Sequence, residues 1–174
     1  MFRKLSYITI AVALLLLSSC DLKPPYEVEK SKVVKAAGEW YVYYDHSTYG
    51  HDPFSVGLTS IITYNTASDV DNLMWLSDEE NFWAYTVKIP VNIDDLTFGS
   101  EDTVINAVSG YPIKILVRNG QIFEDAKIME GSGATTDSIY FEIWYEDLID
   151  ATGIDSDTLF VSGFRRTGFL EDEP

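Results

Sequence analysis

Residues 111–129, YPIKILVRNGQIFEDAKIM, decide the fold of this chain. Apolar and polar residues alternate before the central Asn119-Gly120 pair, which indicates a strand with one buried and one solvated face. Asn-Gly favours a two-residue β-turn. We therefore predict a β-hairpin whose strands cover Tyr111–Arg118 and Gln121–Met129.

Similar short β-rich segments recur along the chain and are separated by turn residues. Together with the hairpin they make nine candidate strands, which predicts an all-β sandwich or barrel. Only Glu146–Gly153 has the pattern of a helical turn, with Gly153 just past its end. The other seven candidate strands are Glu39–Asp45, Val56–Asn65, Asn72–Leu76, Phe82–Val91, Thr103–Ala107, Ile139–Glu146 and Thr158–Arg166.

One face of most of these strands is apolar and rich in aromatic residues. We expect these faces to point inward and to form a cup for a lipid or another small hydrophobic molecule. In Val56–Asn65, Tyr64 is placed on the apolar face and Thr63 on the polar one. The candidate ligand-binding residues are Tyr64, Trp83, Tyr85, Tyr111, Ile113, Phe141, Ile143 and Tyr145.

The first twenty residues have the pattern of an export signal: a basic start at Arg3-Lys4, an apolar run over Ile8–Leu17 and a small-residue end. Leu17-Ser18-Ser19-Cys20 resembles the lipobox of bacterial lipoproteins, which implies that Cys20 is lipidated. We therefore expect a lipid-anchored protein in the envelope of a Gram-negative bacterium, at its outer membrane. Which side of that membrane the protein faces stays open.

The predicted organisation is a signal peptide over 1–19, a lipidated flexible tether over 20–32, a β-barrel over 33–170 and a disordered acidic tail over 171–174. Without Arg3 and Lys4, 10 of the 12 basic residues remain against 28 acidic ones, a formal charge of −18. Such a charge disfavours nucleic acid as a partner and favours a soluble monomeric domain. Cys20 is the only cysteine, and lipidation would occupy it, so we expect no disulfide, no cysteine catalysis and no cysteine metal site.

Two elements resemble the calycin superfamily, lipocalins included: Gly38-Glu39-Trp40 on the first strand and Arg165-Arg166 on the last. The resemblance implies an antiparallel, up-and-down, eight-stranded barrel in which an arginine, Arg165 or Arg166, caps the Trp40 ring. Nine candidate strands exceed eight, so one is an insertion or two are halves of one bent strand.

Residues 36–169 more specifically resemble the lipocalin-like lipoproteins of a family described as "lipid-binding putative hydrolase". The stretches that carry this resemblance are 37–42 (AGEWYV), 49–53 (YGHDP), 61–66 (IITYNT) and 161–168 (VSGFRRTG).

Nothing in the residues supports the hydrolase part of that description. The sequence has no Gly-x-Ser-x-Gly and no His-Glu-x-x-His, and its two histidines, His46 and His51, share one loop with Asp45 and Asp52. We predict no catalytic residues, no metal and no cofactor. A lipid-binding cup is the first hypothesis, a non-catalytic accessory protein with a side-chain-filled barrel the second, and a hydrolase the third.

Overall fold

The structure is a computed structural model that describes residues 30–174. Its compact unit is Ser31–Pro174, which includes two residues of the predicted tether and the predicted tail. The predicted signal peptide, Cys20 and most of the tether lie outside the described residues.

Eight antiparallel strands form a closed barrel in which each strand pairs with its neighbours along the chain, and the first strand closes on the last. This confirms the predicted up-and-down eight-stranded barrel. The eight strands are β1 (Gly38–His46), β3 (Thr59–Asn65), β4 (Leu73–Ser77), β5 (Thr86–Asn92), β6 (Thr97–Phe98), β8 (Lys114–Ile128), β9 (Thr135–Tyr145) and β10 (Leu159–Arg165).

Four short elements complete the described chain. They are β2 (Gly50–His51), β7 (Val104–Ile105), α1 (Leu148–Thr152) and a 3₁₀ turn over Leu170–Asp172. Gly153 adopts a left-handed conformation directly after α1, as expected from its position. No helix within residues 30–174 is long and apolar enough to cross a membrane.

The predicted hairpin at Asn119-Gly120 is wrong, because the single strand β8 continues without a turn from the first predicted strand into the second. The two residues together lie opposite Phe141 of β9, which makes a β-bulge. Asn119 has a left-handed φ of 52°. Gly120 has no room for a side chain, since a Cβ would lie 2.3 Å from the ring of Phe98. Asn-Gly therefore bends one strand here.

Two corrections reduce the nine candidate segments to seven barrel strands, and one strand that was not predicted completes the eight. Tyr111–Arg118 and Gln121–Met129 are halves of one bent strand, and Thr103–Ala107 contains only β7, which pairs with β8 beside the main path. The missing strand is β6, which is two residues long and too short to show a periodicity.

The face assigned to β3 is also wrong. Thr63 points inward and is buried, while Tyr64 lies on the outer wall, 36% exposed and stacked on Trp75. The polar residue is accommodated inside because its hydroxyl accepts from the Trp40 indole N–H (2.8 Å) and donates to the Ala36 carbonyl (2.6 Å).

The acidic tail, predicted to be disordered, packs on the barrel instead. Asp172 accepts hydrogen bonds from Ser132 and Thr167, and Glu173 forms an ion pair with Arg166 at 2.7 Å. These partners hold the tail, since they satisfy its carboxylates by hydrogen bonds and charge.

The two ends of the barrel differ. At the closed end, residues 31–37 form turns across the opening, with Val33 and Ala36 fully buried. At the opposite, open end, the loop between β2 and β3 meets the loop between β4 and β5.

Candidate functional site

Three aromatic side chains cover the open end of the barrel; we call Phe54, Phe82 and Trp83 the aromatic cover. Phe54 comes from the β2–β3 loop, and the other two come from the β4–β5 loop. Their ring centres lie 5.5 Å (Phe54–Phe82), 5.7 Å (Phe54–Trp83) and 5.1 Å (Phe82–Trp83) apart. All three are partly buried and pack on the core. Two separate loops therefore meet through aromatic contacts above the barrel interior.

A buried carboxylate shapes the loop that carries Phe82 and Trp83. Asp78 is 0% exposed and accepts hydrogen bonds from the backbone N–H groups of five residues of its own loop. The loop curls around this charge with Glu79, Glu80 and Ala84 in left-handed conformations. The five donors are Glu80, Phe82, Trp83, Ala84 and Tyr85, at 2.8–3.2 Å.

The Phe54 loop is held in a similar but smaller way. The carboxylate of Asp52 accepts from the backbone N–H groups of Val56 and Gly57, at 2.8 and 2.9 Å. Asp52 and Ser55 both have positive φ angles. Each half of the cover is thus a tight loop built on one aspartate, and the halves are joined to each other by the aromatic rings.

Three fully buried tyrosines lie beneath the cover. The hydroxyls of Tyr44 and Tyr85 are 3.1 Å apart and hydrogen-bonded. The ring of Tyr145 stacks on Trp83 at 5.0 Å, but its buried hydroxyl has no hydrogen-bond partner. Burial raises the pKa of all three phenols, so they are neutral at physiological pH. A buried hydroxyl without a partner is costly and rare in proteins.

Asp147 fixes one side of this cluster. Its carboxylate accepts from the indole N–H of Trp83 at 2.9 Å and from the hydroxyl of Tyr111. Burial, followed by the bond to Asp147, raises the pKa of Tyr111 to about 12. The cover is therefore tied to the segment that follows β9.

Below the cluster, the barrel is filled by its own side chains. The core side chains of the barrel are 0–7% exposed, and most of them, Phe141 and Ile143 included, are 0% exposed. A void large enough for water would leave such atoms accessible, so the described interior is packed like an ordinary core.

Of the eight candidate ligand-binding residues, the structure gathers Trp83, Tyr85, Tyr111 and Tyr145 at the open end. The others lie elsewhere: Phe141 and Ile143 are in the packed core, Ile113 packs against that core, and Tyr64 is on the outer wall.

At the closed end, the guanidinium of Arg165 lies over the Trp40 ring. Arg166 points outward and pairs with Glu39 and Glu173. The structure therefore assigns the capping position to Arg165, a choice that the sequence left open. Gly38 leaves room for this cap, because a Cβ there would lie 3.0 Å from Nη1 of Arg165.

The two histidines do not share a site. His46 is buried, and its Nδ1 accepts from the backbone N–H groups of Thr48 and Tyr49, which leaves Nε2–H to donate to Asp157 at 2.6 Å. Both ring nitrogens are thus occupied, so His46 has no free position to act as a general base. His51 is exposed and pairs with Asp45 at 2.7 Å.

No group of three or more His, Cys, Asp or Glu side chains in the described part of the chain is arranged to hold a metal ion. Sequence reasoning missed four residues of the open end: Phe54, Phe82, Tyr44 and Asp78. Phe54 stands in a loop without periodicity, and Phe82, which begins the candidate strand Phe82–Val91, lies in a loop because β5 begins only at Thr86. Asp78 heads the run Asp-Glu-Glu at 78–80, which has the pattern of a solvated loop.

Comparison with known proteins gives one family. The profile of a family described as "Lipid-binding putative hydrolase" matches residues 25–170, most of the chain. No curated protein matches the sequence significantly.

Proposed function

Because the chain belongs to this family of lipid-binding putative hydrolases, we propose that it is an envelope lipoprotein whose barrel binds a lipid or another small hydrophobic ligand beneath the aromatic cover. The family and the barrel fold support the lipid-binding role. The position under the cover, the anchor at Cys20 and the envelope location are the proposal.

One observation carries the choice of site: the unpartnered hydroxyl of Tyr145 beneath Trp83. In a packed interior, such a group costs about 1–3 kcal/mol. A ligand with a polar group, such as the carboxyl of a fatty acid, would satisfy it. The hydroxyls of Tyr44 and Tyr85 lie in the same layer and provide further donors and acceptors.

Since the described interior is packed, a ligand has to displace the cover. The contact between Phe54 and the Phe82–Trp83 pair is the natural opening, because it joins two separate loops through side chains. An alkyl chain gains about 0.8 kcal/mol per buried CH₂. About ten methylenes give about 8 kcal/mol before entropy and displacement costs, so we expect micromolar affinity at best.

The anchor is supported by the lipobox-like Leu17-Ser18-Ser19-Cys20. Cys20→Ala should abolish incorporation of labelled palmitate in the producing bacterium and release the protein from membranes. Ser19→Ala is the matched control, since it keeps a small residue before the cysteine. Palmitate incorporation by Cys20→Ala would contradict the anchor.

A second candidate function is a non-catalytic accessory protein with a permanently filled barrel. The near-complete burial of the inward side chains favours it. The two candidate functions assign different roles to the Tyr145 hydroxyl. In a lipid-binding protein it contacts the ligand, whereas in an accessory protein with a filled barrel it is a buried polar group that only destabilises the fold.

Tyr145→Phe separates them. Removing a buried hydroxyl without a partner should stabilise the fold by about 1 kcal/mol. If the hydroxyl contacts the ligand, the same variant should bind a fluorescent fatty acid more weakly than the wild type. Tyr140→Phe is the matched control, because its hydroxyl lies on the outer wall and bonds Glu142. No displaceable fatty-acid binding by the wild type would refute the proposal and favour the filled barrel.

A further inference from the structure

We propose that the closed end of the barrel rests on the surface of the membrane that holds the protein. The contact is an apolar tip formed by Ile128, Phe169 and Leu170. The inference rests on the proposed lipid anchor at Cys20 and adds to it an orientation of the domain.

Leu170 and Ile128 are the two most exposed large apolar side chains in the described part of the chain, and Phe169 is exposed as well. Leu170 is 88% exposed, Ile128 68% and Phe169 50%. Ile128 ends β8 at the tip of the β8–β9 hairpin, and the other two belong to the C-terminal tail. Exposed apolar side chains grouped on one surface indicate an interaction site.

The tail is fixed against the hairpin, so the three tip residues lie at the same end of the domain. Asp172 accepts from the backbone N–H and the hydroxyl of Ser132, in the hairpin loop. Gly131 approaches the tail so closely that a Cβ there would lie 2.0 Å from the carbonyl oxygen of Glu171. Ile128 and Leu170 are thus carried by two segments that hold each other in place.

The chain enters the domain at this same end. Ser31 donates to Asp69 at 2.9 Å, and the guanidinium of Arg165 holds the carbonyl of Lys35 at 2.7 Å. The backbone carbonyl of Arg165 in turn accepts from Thr136, which pairs with β8 beside Ile128. Arg165 therefore connects the entry segment to the β8–β9 hairpin.

The anchor favours the closed end of the barrel as the end that faces the bilayer, because the tether joins the domain there. Cys20 precedes Ser31 by eleven residues, which span at most about 40 Å when fully extended and much less on average. A domain tethered at this distance experiences a high effective concentration of membrane. A small apolar tip is then sufficient for a lasting contact.

The charges around the tip favour an apolar contact over an electrostatic one. The carboxylates of Asp172 and Glu173 are engaged by Ser132 and Arg166, whereas Glu130 and Glu171 are exposed. Exposed carboxylates disfavour anionic lipid headgroups. The tip therefore suits a zwitterionic lipid surface, into which Leu170 and Ile128 can insert.

This orientation has a consequence for ligand exchange. β1 runs from the closed end at Trp40 to the open end at His46, so the aromatic cover lies at the far end from the tip. Docking by the tip directs the cover away from the anchoring membrane. Ligands would then reach the barrel from the aqueous side or from a facing surface.

The test uses the lipidated full chain reconstituted into phosphatidylcholine vesicles. Leu170→Cys supplies one free thiol for an environment-sensitive NBD fluorophore, because Cys20, the natural cysteine, carries the lipid in the proposal. Ile149→Cys is the matched control: it is an aliphatic residue, 42% exposed, on α1 at the open end. Flotation of the vesicles is measured on the same samples.

We expect the label at 170 to shift its emission to shorter wavelength on reconstitution and to be quenched by spin-labelled lipid. The label at 149 should show neither change. If the protein floats with the vesicles but the label at 170 is as exposed to water as the label at 149, the docking is refuted and the anchor is not. Failure to float would refute the anchor, and the docking with it.

Discussion

The guanidinium carbon of Arg165 lies 4.5 Å from the centre of the Trp40 ring. The same guanidinium donates to the carbonyls of Ala37 (2.6 Å) and Lys35 (2.7 Å). The last strand of the barrel is thereby joined to the first strand and to the segment that closes the barrel end. Stacking of guanidinium on indole adds to the hydrogen bonds in holding this end together.

Loss of this pair should destabilise the fold in a coupled way. Trp40→Ala should lower the free energy of unfolding by about 3–5 kcal/mol, as large-to-small core substitutions do. Arg165→Ala should cost less, and the double variant should lose less than the sum of the single losses, because the residues touch. Urea denaturation of the four proteins measures this coupling.

Arg166→Ala is the matched control for the pair. Arg166 is solvent-facing and pairs with Glu39 and Glu173, so its loss should cost much less stability than the loss of Trp40 or Arg165. The assignment of Arg165 as the cap would be contradicted if the losses of unfolding free energy in Trp40→Ala and Arg165→Ala were fully additive, or if Arg166→Ala lost as much as Arg165→Ala.

Asp78→Asn should loosen the aromatic cover. A carboxylate offers two oxygens to five N–H donors, whereas asparagine offers one oxygen and turns an NH₂ group toward the donors. We expect a loss of about 3 kcal/mol in unfolding free energy. Trp83 should also become more exposed, seen as a red shift of tryptophan emission.

The neighbouring Glu79→Gln is the control for charge, since Glu79 is exposed on the same loop. It should leave both the stability and the emission close to those of the wild type. Equal effects of the two variants would show that the buried carboxylate does not organise the loop.

The hydrogen bonds to the Asp157 carboxylate should make the stability of the fold depend on pH. Its burial opposes the charge, but hydrogen bonds from His46, Thr152 and the backbone N–H of Thr158 outweigh burial and hold the pKa of this carboxyl below its ordinary value. The stabilisation is therefore fully present above the unfolded-state pKa of about 3.9 and is lost as the pH falls through the lower folded-state pKa.

Asp157→Asn should accordingly cost about 1–3 kcal/mol at pH 7, and the difference from the wild type should shrink below about pH 4. Denaturation curves between pH 3 and pH 7, on the order of one unit apart, measure this trend. Asp155→Asn, an exposed neighbour, should show no such trend. A constant deficit for Asp157→Asn at every pH would mean that the charge of Asp157 has no role in the contact.

The barrel could be predicted from the sequence because most of its strands alternate clearly and close on recognisable ends, Trp40 and Arg165-Arg166. The choice between Arg165 and Arg166 could not be predicted, because adjacent residues of a strand point to opposite faces and the sequence does not show which of these two points inward. The register with β1 decides it.

The bulge in β8 is visible in the sequence as a change in which positions are apolar. The buried positions of β8 are Ile115 and Val117 before the bulge and Gly120 and Ile122 after it, and one extra residue is needed for this change from odd to even positions. Asn-Gly was assigned to a hairpin turn because both arrangements use a left-handed residue.

Long-range polar contacts were beyond sequence reasoning. His46 and Asp157 are 111 positions apart, and nothing local connects them. Thr63 looked like a solvated residue, yet it lies inside because Trp40 and Ala36 satisfy its hydroxyl. Such residues depend on which partners the closed barrel brings together.

A lipid bound beneath the aromatic cover would lie in contact with Trp83. Quenching of tryptophan fluorescence by a fatty acid brominated on its chain tests it most directly, because bromine quenches only at short range. The comparison is between Trp83→Phe and Trp144→Phe, the second residue being partly exposed on the outer wall of β9. We expect saturable quenching in the wild type and in Trp144→Phe, and its loss in Trp83→Phe. Equal quenching in the two variants, or none in the wild type, would contradict it.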